Sequence, residues 1–138
     1  MIAVVLAIVA LGAVALFGPA RAQPDDARGR VAVVWTSGDP EVAHRMCLMY
    51  THAARTAGWF DRVRLVVWGP SARLLAADKD LQTKVKAMMK DGVELQACVV
   101  CADSYGVSDD LRAMGIEVKG MGKPLSDMLR GDWHVLTF

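Results

Sequence analysis

Residues 92–107 read G-V-E-L-Q-A-C-V-V-C-A-D-S-Y-G-V. A short apolar run over residues 93–97 ends at Cys98, and two residues separate Cys98 from Cys101. The polar segment that follows is compatible with a helix and ends at Gly106. This pattern predicts a strand that ends at a thiol, with a helix that begins directly after it. A thiol at this place lies near the positive end of a helix dipole, which favours the nucleophilic thiolate.

Short apolar runs alternate with helical patterns along the rest of the chain. The apolar runs predict five strands, at residues 31–36, 63–68, 93–98, 116–118 and 133–138. The patterns between them predict helices at residues 40–56, 72–77, 79–90, 100–105, 109–114 and 124–129. The first run, V-A-V-V-W-T, is typical of a strand that is buried on both faces. The alternation predicts an α/β fold with a parallel sheet and helices on both faces.

The predicted helix at residues 40–56 carries one apolar stripe. At helical spacing, this stripe consists of Val42, Met46, Met49 or Tyr50, and Ala53. Cys47 lies among apolar neighbours, and we interpret it as a packing residue. His44 and His52 are eight residues apart, too far for a metal pair on one helix, so we interpret them as surface or subunit-contact residues.

The carboxyl ends of the predicted strands are the expected place for a site, because open α/β sheets bind ligands there. We predict that Cys98 and Cys101 carry the chemistry. The secondary candidates for substrate binding lie in turns at the same edge: Ser37, Gly38, Ser71 and Gly120. The 37–39 segment either binds an anion through its backbone or simply caps the next helix through Asp39. Ser71 is also the predicted cap of the helix at 72–77.

Composition narrows the class of protein. The 138 residues suit one domain, and 16 Lys and Arg balance 15 Asp and Glu, so the basic surface that nucleic acid requires is not expected. Three cysteines, an odd number, argue against a disulfide scaffold. A structural zinc site needs four ligands, and no second C-x-x-C or histidine pair is present. We therefore expect no metal, no cofactor and no nucleic-acid partner.

The amino-terminal segment has the pattern of a targeting sequence. Residues 1–17 are almost entirely apolar, and A-R-A at residues 20–22 resembles a signal-peptidase site. We predict a signal peptide or an uncleaved anchor at 1–22, a linker at 23–30 and one domain at 31–138. A leader of this kind predicts a periplasmic or secreted protein. No basic residue precedes the apolar run, so a membrane-anchored or cytoplasmic protein is the alternative.

Four stretches together resemble the DsrE/DsrF-like sulfur-relay family. They are V-V-W-T-S-G-D at 33–39, W-G-P-S-A at 68–72, A-C-V-V-C-A-D-S-Y-G-V at 97–107 and G-I-E-V-K-G-M-G-K-P-L-S-D-M-L at 115–129. The resemblance covers residues 31–138. It implies a three-layer α/β/α domain with a five-stranded parallel sheet, assembled as a homotrimer or homohexamer. It also implies a cysteine that accepts sulfur as a persulfide, eight residues before a glycine; Cys98 stands eight residues before Gly106.

Three functions are compatible with the thiol pair. The first is sulfur transfer, with Cys98 as acceptor and Cys101 as resolving or modulating thiol, in exchange with sulfur donor and acceptor proteins or small sulfur compounds. The second is a periplasmic dithiol redox protein, since that compartment is oxidising. The third is a non-catalytic binding or assembly module in which both thiols are inert packing residues.

Overall fold

The computed structural model describes residues 28–138, so the expectations for residues 1–22 and for most of the 23–30 linker fall outside the described residues. Five strands alternate with helices: β1 (Arg30–Trp35), β2 (Arg62–Val67), β3 (Glu94–Cys98), β4 (Glu117–Lys119) and β5 (Trp133–Thr137). The helices are α1 (Pro40–Val42), which continues through a π-helical turn (Ala43–Cys47) into α2 (Leu48–Thr56), then α3 (Pro70–Ala77), α4 (Lys79–Lys90), α5 (Val99–Ser104), α6 (Ser108–Ala113) and α7 (Gly122–Arg130).

All five strands are parallel, in the spatial order β4-β3-β2-β1-β5. The chain moves in one direction from β1 to β4, so right-handed crossovers bring α1 through α6 to one face of the sheet. The connection from β4 back to β5 runs in the opposite direction, which brings α7 to the other face. The result is the parallel sheet with helices on both faces that the alternation of elements predicted, in the three-layer α/β/α form that the resemblance implied.

The two faces of the sheet are packed very differently. On the face covered by α1 to α6, here called the core face, Val33, Leu65 and Leu95 belong to the larger hydrophobic core. On the other face, here called the α7 face, a smaller cluster contains Val66 and Cys98 together with Met128 of α7. Side chains alternate between the faces of a strand, so Cys98 lies on the face that a single helix covers.

The helix after β1 differs from the prediction in its buried face. The structure buries Ala43, Cys47, Leu48, Thr51 and Ala54, while Met46 and Met49 are 51% and 60% exposed. The predicted stripe is therefore wrong by one residue, although its spacing is right. Both candidate stripes are largely apolar in sequence, so the spacing alone does not choose between them.

The interpretation of Cys47 as a packing residue is confirmed, because its side chain is fully buried. Burial raises the pKa of the Cys47 thiol to about 12, so it stays protonated and unreactive at neutral pH.

Among the helices of residues 28–138, none combines the length and the hydropathy needed to span a bilayer.

Candidate functional site

Cys98 is the last residue of β3, and its side chain is 5% exposed. It packs in the small cluster of the α7 face with Val66 and Met121, which are also buried. Trp68 and Leu125 are half-buried and border the same cluster. The sulfur is therefore shielded at the carboxyl edge of the sheet.

Cys101 lies in the first turns of α5 and is half-buried, so it is the more accessible of the two thiols. Burial and then a hydrogen bond with the Cys98 sulfur raise the pKa of Cys101, while the backbone N–H of Gly69 donates to the same thiol and opposes this change. Cys101 therefore tends to keep its proton, which it can donate to Cys98. The structure brings the two predicted residues together as free thiols, since Cys101 packs against the small cluster that contains Cys98.

The turn after β2 depends on Gly69. Its backbone has φ 70° and ψ −138°, a combination that side chains other than hydrogen disfavour. This conformation precedes Pro70, the first residue of α3, and accompanies the hydrogen bond from the Gly69 N–H to Cys101. The turn is therefore part of the thiol environment.

Ser71 lies inside this turn and is fully buried. Its hydroxyl donates to the carbonyl oxygen of Trp35 at 2.5 Å and accepts from the N–H of Trp68 at 3.1 Å. The predicted helix cap at Ser71 is wrong, because α3 begins at Pro70 after Gly69. The backbone bonds of this hydroxyl tie β1 to the turn that follows β2. A substrate-binding role for Ser71 stays a prediction.

The turn after β1 packs against the turn after β2. A Cβ on Gly38 would approach the Pro70 Cβ to 3.1 Å, so the two turns are in close contact. The Ser37 hydroxyl accepts from the N–H of Asp39 at 3.1 Å, and the Asp39 carboxylate accepts from the N–H of Glu41 at 2.8 Å. Asp39 is therefore the helix cap, as one of the two interpretations of this segment expected. Ligand binding at Ser37 and Gly38 stays a prediction.

The end of β4 contributes a residue that the sequence did not single out. Lys119 pairs with Cys98 in the parallel register of β3 and β4. Gly120 follows it in an exposed position, and the next residue, Met121, is buried against the Cys98 cluster. Sequence patterns reveal that a strand exists at this place, but not which of its residues stands beside the thiol.

The hollows of the described residues differ in their relation to the thiols. One of about 540 Å³ lies between α2 and α4 and is lined by residues such as His44, His52 and Lys84, not by either thiol. A smaller one of about 280 Å³ shares Val34, Trp68 and Leu125 with the surroundings of Cys98. Its lining is mainly apolar. Over residues 28–138, no cluster of three potential metal ligands is present.

The comparisons with known proteins agree on one family of folds. The model of the DsrE/DsrF-like family matches residues 29–138. The solved structure of BT1422 from Bacteroides thetaiotaomicron, a conserved protein of unknown function, is 28% identical with a TM-score of 0.78, and the match covers 84% of this chain and 100% of that one. No curated protein matches the chain.

Two further solved structures share the fold at lower identity. The ychN protein from E. coli is 22% identical with a TM-score of 0.61, covering 79% of this chain and 99% of that one. MTH1491 from Methanobacterium thermoautotrophicum, a protein of unknown function, is 21% identical with a TM-score of 0.62, covering 80% and 99%.

Proposed function

Because the chain belongs to the DsrE/DsrF-like family, a sulfur-relay family, we propose that it carries sulfane sulfur as a persulfide on Cys98. The observation that supports this most directly is the contact between the two free thiols at the carboxyl edge of the sheet. This edge is where α/β proteins usually place their chemistry.

The transfer needs no external oxidant. The Cys98 thiolate attacks the outer sulfur of a donor persulfide, R–S–SH; the S–S bond of the donor breaks, and R–S⁻ leaves with the electron pair. Cys98 then carries S–SH. In the forward step, an acceptor thiolate attacks that outer sulfur, its own persulfide forms, and the Cys98 thiolate is restored.

Cys101 has two roles in this scheme. Because its pKa is raised, Cys101 keeps its proton and can donate a hydrogen bond to the Cys98 sulfur. This hydrogen bond stabilises the Cys98 thiolate. When no acceptor is present, the Cys101 thiolate can attack the inner sulfur of the Cys98 persulfide. A Cys98–Cys101 disulfide then forms and HS⁻ leaves, which balances the electrons of the sulfane sulfur.

The burial of Cys98 suits a carrier that protects its cargo. A cysteine that is 5% exposed meets few adventitious thiols, so a persulfide on it is expected to last. The same burial limits donors and acceptors to small sulfur compounds or to partner thiols presented on a protruding segment.

Assembly and compartment belong to the same proposal. We propose a homotrimer or homohexamer, which large exposed apolar residues support: Met46, Met49, Trp59, Val100 and Leu129. A monomer by light scattering at micromolar concentration would contradict it.

We also propose export, for which the leader-like residues 1–22 are the reason. The amino-terminal sequence of the mature protein tests this, and an intact Met1 in the cytoplasm would contradict it.

Intact-mass analysis after incubation with a sulfane donor tests the carrier function. The wild type should gain the mass of one sulfur atom, and this gain should disappear on reduction. Cys98→Ala should gain none, whereas Cys47→Ala should behave as the wild type because Cys47 is buried in the core. An equal gain by Cys98→Ala would refute the assignment.

The thiol contact also supports a second candidate, a dithiol redox protein. Mild oxidation would then remove two hydrogens as the Cys98–Cys101 disulfide forms, and a reductant would restore them. A reversible disulfide in a protein that takes up no sulfur would favour this candidate. Native thiols that react with neither a sulfane donor nor an alkylating agent would instead favour the binding or assembly module.

A further inference from the structure

Lys119 stands beside the proposed sulfur acceptor. It is the register partner of Cys98 on the neighbouring strand β4, and Gln96 pairs with Glu117 two residues earlier on the same two strands. Residues paired in this way point to the same face of the sheet. The Lys119 stem and the Cys98 thiol therefore leave the sheet next to each other on the α7 face.

Three polar side chains form a chain that ends at this lysine. The amide of Gln96 donates to Glu117 Oε2 at 2.7 Å, and the ammonium of Lys119 donates to Glu117 Oε1 at 2.7 Å. The ammonium of Lys119 and then the Gln96 amide hold the pKa of Glu117 below its usual value, so this carboxylate is ionised at neutral pH. The Lys119 ammonium is thus held by Glu117, which lies two residues earlier on β4 and pairs with Gln96, while the Lys119 backbone pairs with Cys98.

The ion pair with Glu117 does not fix the ammonium in this position. The Lys119–Glu117 pair is a surface pair, with side chains 37% and 56% exposed, and such pairs contribute little stability. A lysine side chain has a flexible stem and three donors, so its ammonium can approach a new negative charge on the adjacent strand.

Other charged residues on the α7 face, and Asp103 of α5, have partners of their own within residues 28–138. On β2 and β3, Arg62 and Arg64 both bind Glu94. On α7, Lys123 and Arg130 both bind Asp127. On α5, Asp103 accepts from the Ser108 hydroxyl. Among the lysines and arginines of this face, Lys119 is the one whose backbone is the direct strand neighbour of Cys98.

We propose that Lys119 is a positioning residue for sulfur transfer: it supplies the positive charge that stabilises the Cys98 thiolate and the persulfide anion, while Glu117 anchors and partly neutralises it. This inference rests on the proposed function, because a transfer role for Lys119 requires that Cys98 carries sulfur. Its effect on the ionisation of Cys98 can be measured without sulfur transfer. A cation beside a thiol favours the thiolate, which is the attacking species in the balanced step above.

The test measures how fast Cys98 is alkylated as a function of pH. Iodoacetamide is the probe, because it is neutral and the charge of residue 119 does not steer it. The tryptic peptide over residues 91–112 contains both Cys98 and Cys101, and fragmentation of the alkylated peptide separates the two sites. Three variants are compared with the wild type: Lys119→Met, Lys119→Arg and Glu117→Gln.

Lys119→Met should move the midpoint of the Cys98 profile to higher pH and slow alkylation at neutral pH roughly threefold to tenfold, as expected when a unit charge about 6–8 Å away at a half-exposed site is removed. Lys119→Arg should restore the wild-type midpoint. Glu117→Gln keeps an oxygen for the lysine but removes the negative charge, so it should move the midpoint to lower pH. Lys123→Met removes a lysine that pairs with Asp127 and should leave the profile unchanged.

An unchanged midpoint in Lys119→Met, or equal shifts in Lys119→Met and Lys119→Arg, would overturn the inference. If Lys119→Met does not fold, Glu117→Gln alone tests the proposal. A midpoint of Cys98 alkylation that does not move to lower pH in this variant overturns it. The two proposals fail separately. If the Cys98 alkylation profile responds to residue 119 but the protein takes up no sulfur, the effect of Lys119 is supported and the carrier function is refuted.

Discussion

Strand β2 shows the contrast between the two faces of the sheet. On the core face, it contributes Val63, Leu65 and Val67, which are fully buried among residues of the helices from α2 to α6. On the α7 face, the same strand carries Arg62 and Arg64 before it reaches Val66. One face is therefore uniformly apolar, and the other changes from charged to apolar along the strand direction.

The charged half of the α7 face is organised around Trp133. The guanidinium groups of Arg64, Arg62 and Arg30 lie 4.4, 5.2 and 5.4 Å from the centroid of its ring. Glu94 accepts from Arg62 at 2.8 Å and from Arg64 at 2.6 Å. The guanidinium of Arg64 also donates to the sulfur of Met128 at 3.4 Å, so α7 borders this charged half as well as the carboxyl end, where Cys98 lies.

This contrast indicates that one face of the sheet provides most of the stability and the other holds the thiol site. The core face supplies most of the buried apolar area, which leaves the α7 face free to hold a thiol and charged groups that would be costly inside a core. Substitutions on the two faces should therefore have separable effects.

The largest expected effect is on the core face. Leu65→Ala removes a fully buried side chain and should lower the free energy of unfolding by about 3 kcal/mol. Leu125→Ala, on half-buried α7, should lower it by about half as much because the site is already partly hydrated. Urea unfolding followed by circular dichroism measures both. Equal losses in the free energy of unfolding would mean that the two faces contribute equally to stability, contrary to this expectation.

The next effect tests the turn that reaches Cys101. Gly69→Ala meets no atom within 4 Å, yet it places a side chain on a backbone with φ 70°, so it should cost about 1–2 kcal/mol in stability. It should also disturb the N–H donor to Cys101 and change the alkylation rate of that thiol. Gly120→Ala is the matched control, because it also meets nothing within 4 Å but has no positive φ. Equal behaviour of the two variants would count against a conformational role for Gly69.

A smaller, pH-dependent effect is expected in the charged half of the α7 face. Burial opposes the ionisation of Glu94, but the guanidinium groups of Arg64 and Arg62 outweigh it and hold the pKa of Glu94 below its usual value. A carboxylate with a depressed folded-state pKa stabilises the fold above the unfolded pKa, about 4.3, and loses that contribution as the pH falls through the folded value.

Glu94→Gln should therefore be less stable than the wild type by about 0.5–1 kcal/mol at pH 7, and the difference should shrink as the pH falls below about 4.3. Urea unfolding at a series of pH values measures this difference. Glu41→Gln, which affects an exposed pair with Arg45, serves as the control and should show almost none. A difference for Glu94→Gln that is constant with pH would show that charge is not its cause.

Much of the fold could be predicted from local sequence patterns. Residues 79–90 were predicted as a helix and form α4 (Lys79–Lys90), because Asp78 caps it and Leu81, Val85 and Met88 recur at helical spacing. The strand predicted at 31–36 forms β1 one residue earlier, at Arg30–Trp35. Alternation of such elements is sufficient for the α/β class.

What the patterns could not provide is the phase and register of elements that are distant in sequence. The buried stripe of α2 was misplaced by one residue because both stripes are apolar. The pairing of Lys119 with Cys98 depends on how β4 slides along β3, and a slip of one residue would send Lys119 to the other face. The thiol pair was readable because its two members are close in sequence.

The smallest expected effect concerns a polar residue buried where the charged and apolar halves of the α7 face meet. Gln96 is 6% exposed; its amide nitrogen donates to Glu117, but its Oε1 has no hydrogen-bond partner within the described residues. Gln96→Met keeps the shape of the side chain. It loses a charge-assisted bond of about 1.5–3 kcal/mol and relieves an unpaired carbonyl that costs about 1–3 kcal/mol, so stability should change by less than about 1 kcal/mol. A larger loss in urea unfolding would mean that Oε1 is paired in solution, and a polar contact would then have to be added to the surroundings of Cys98.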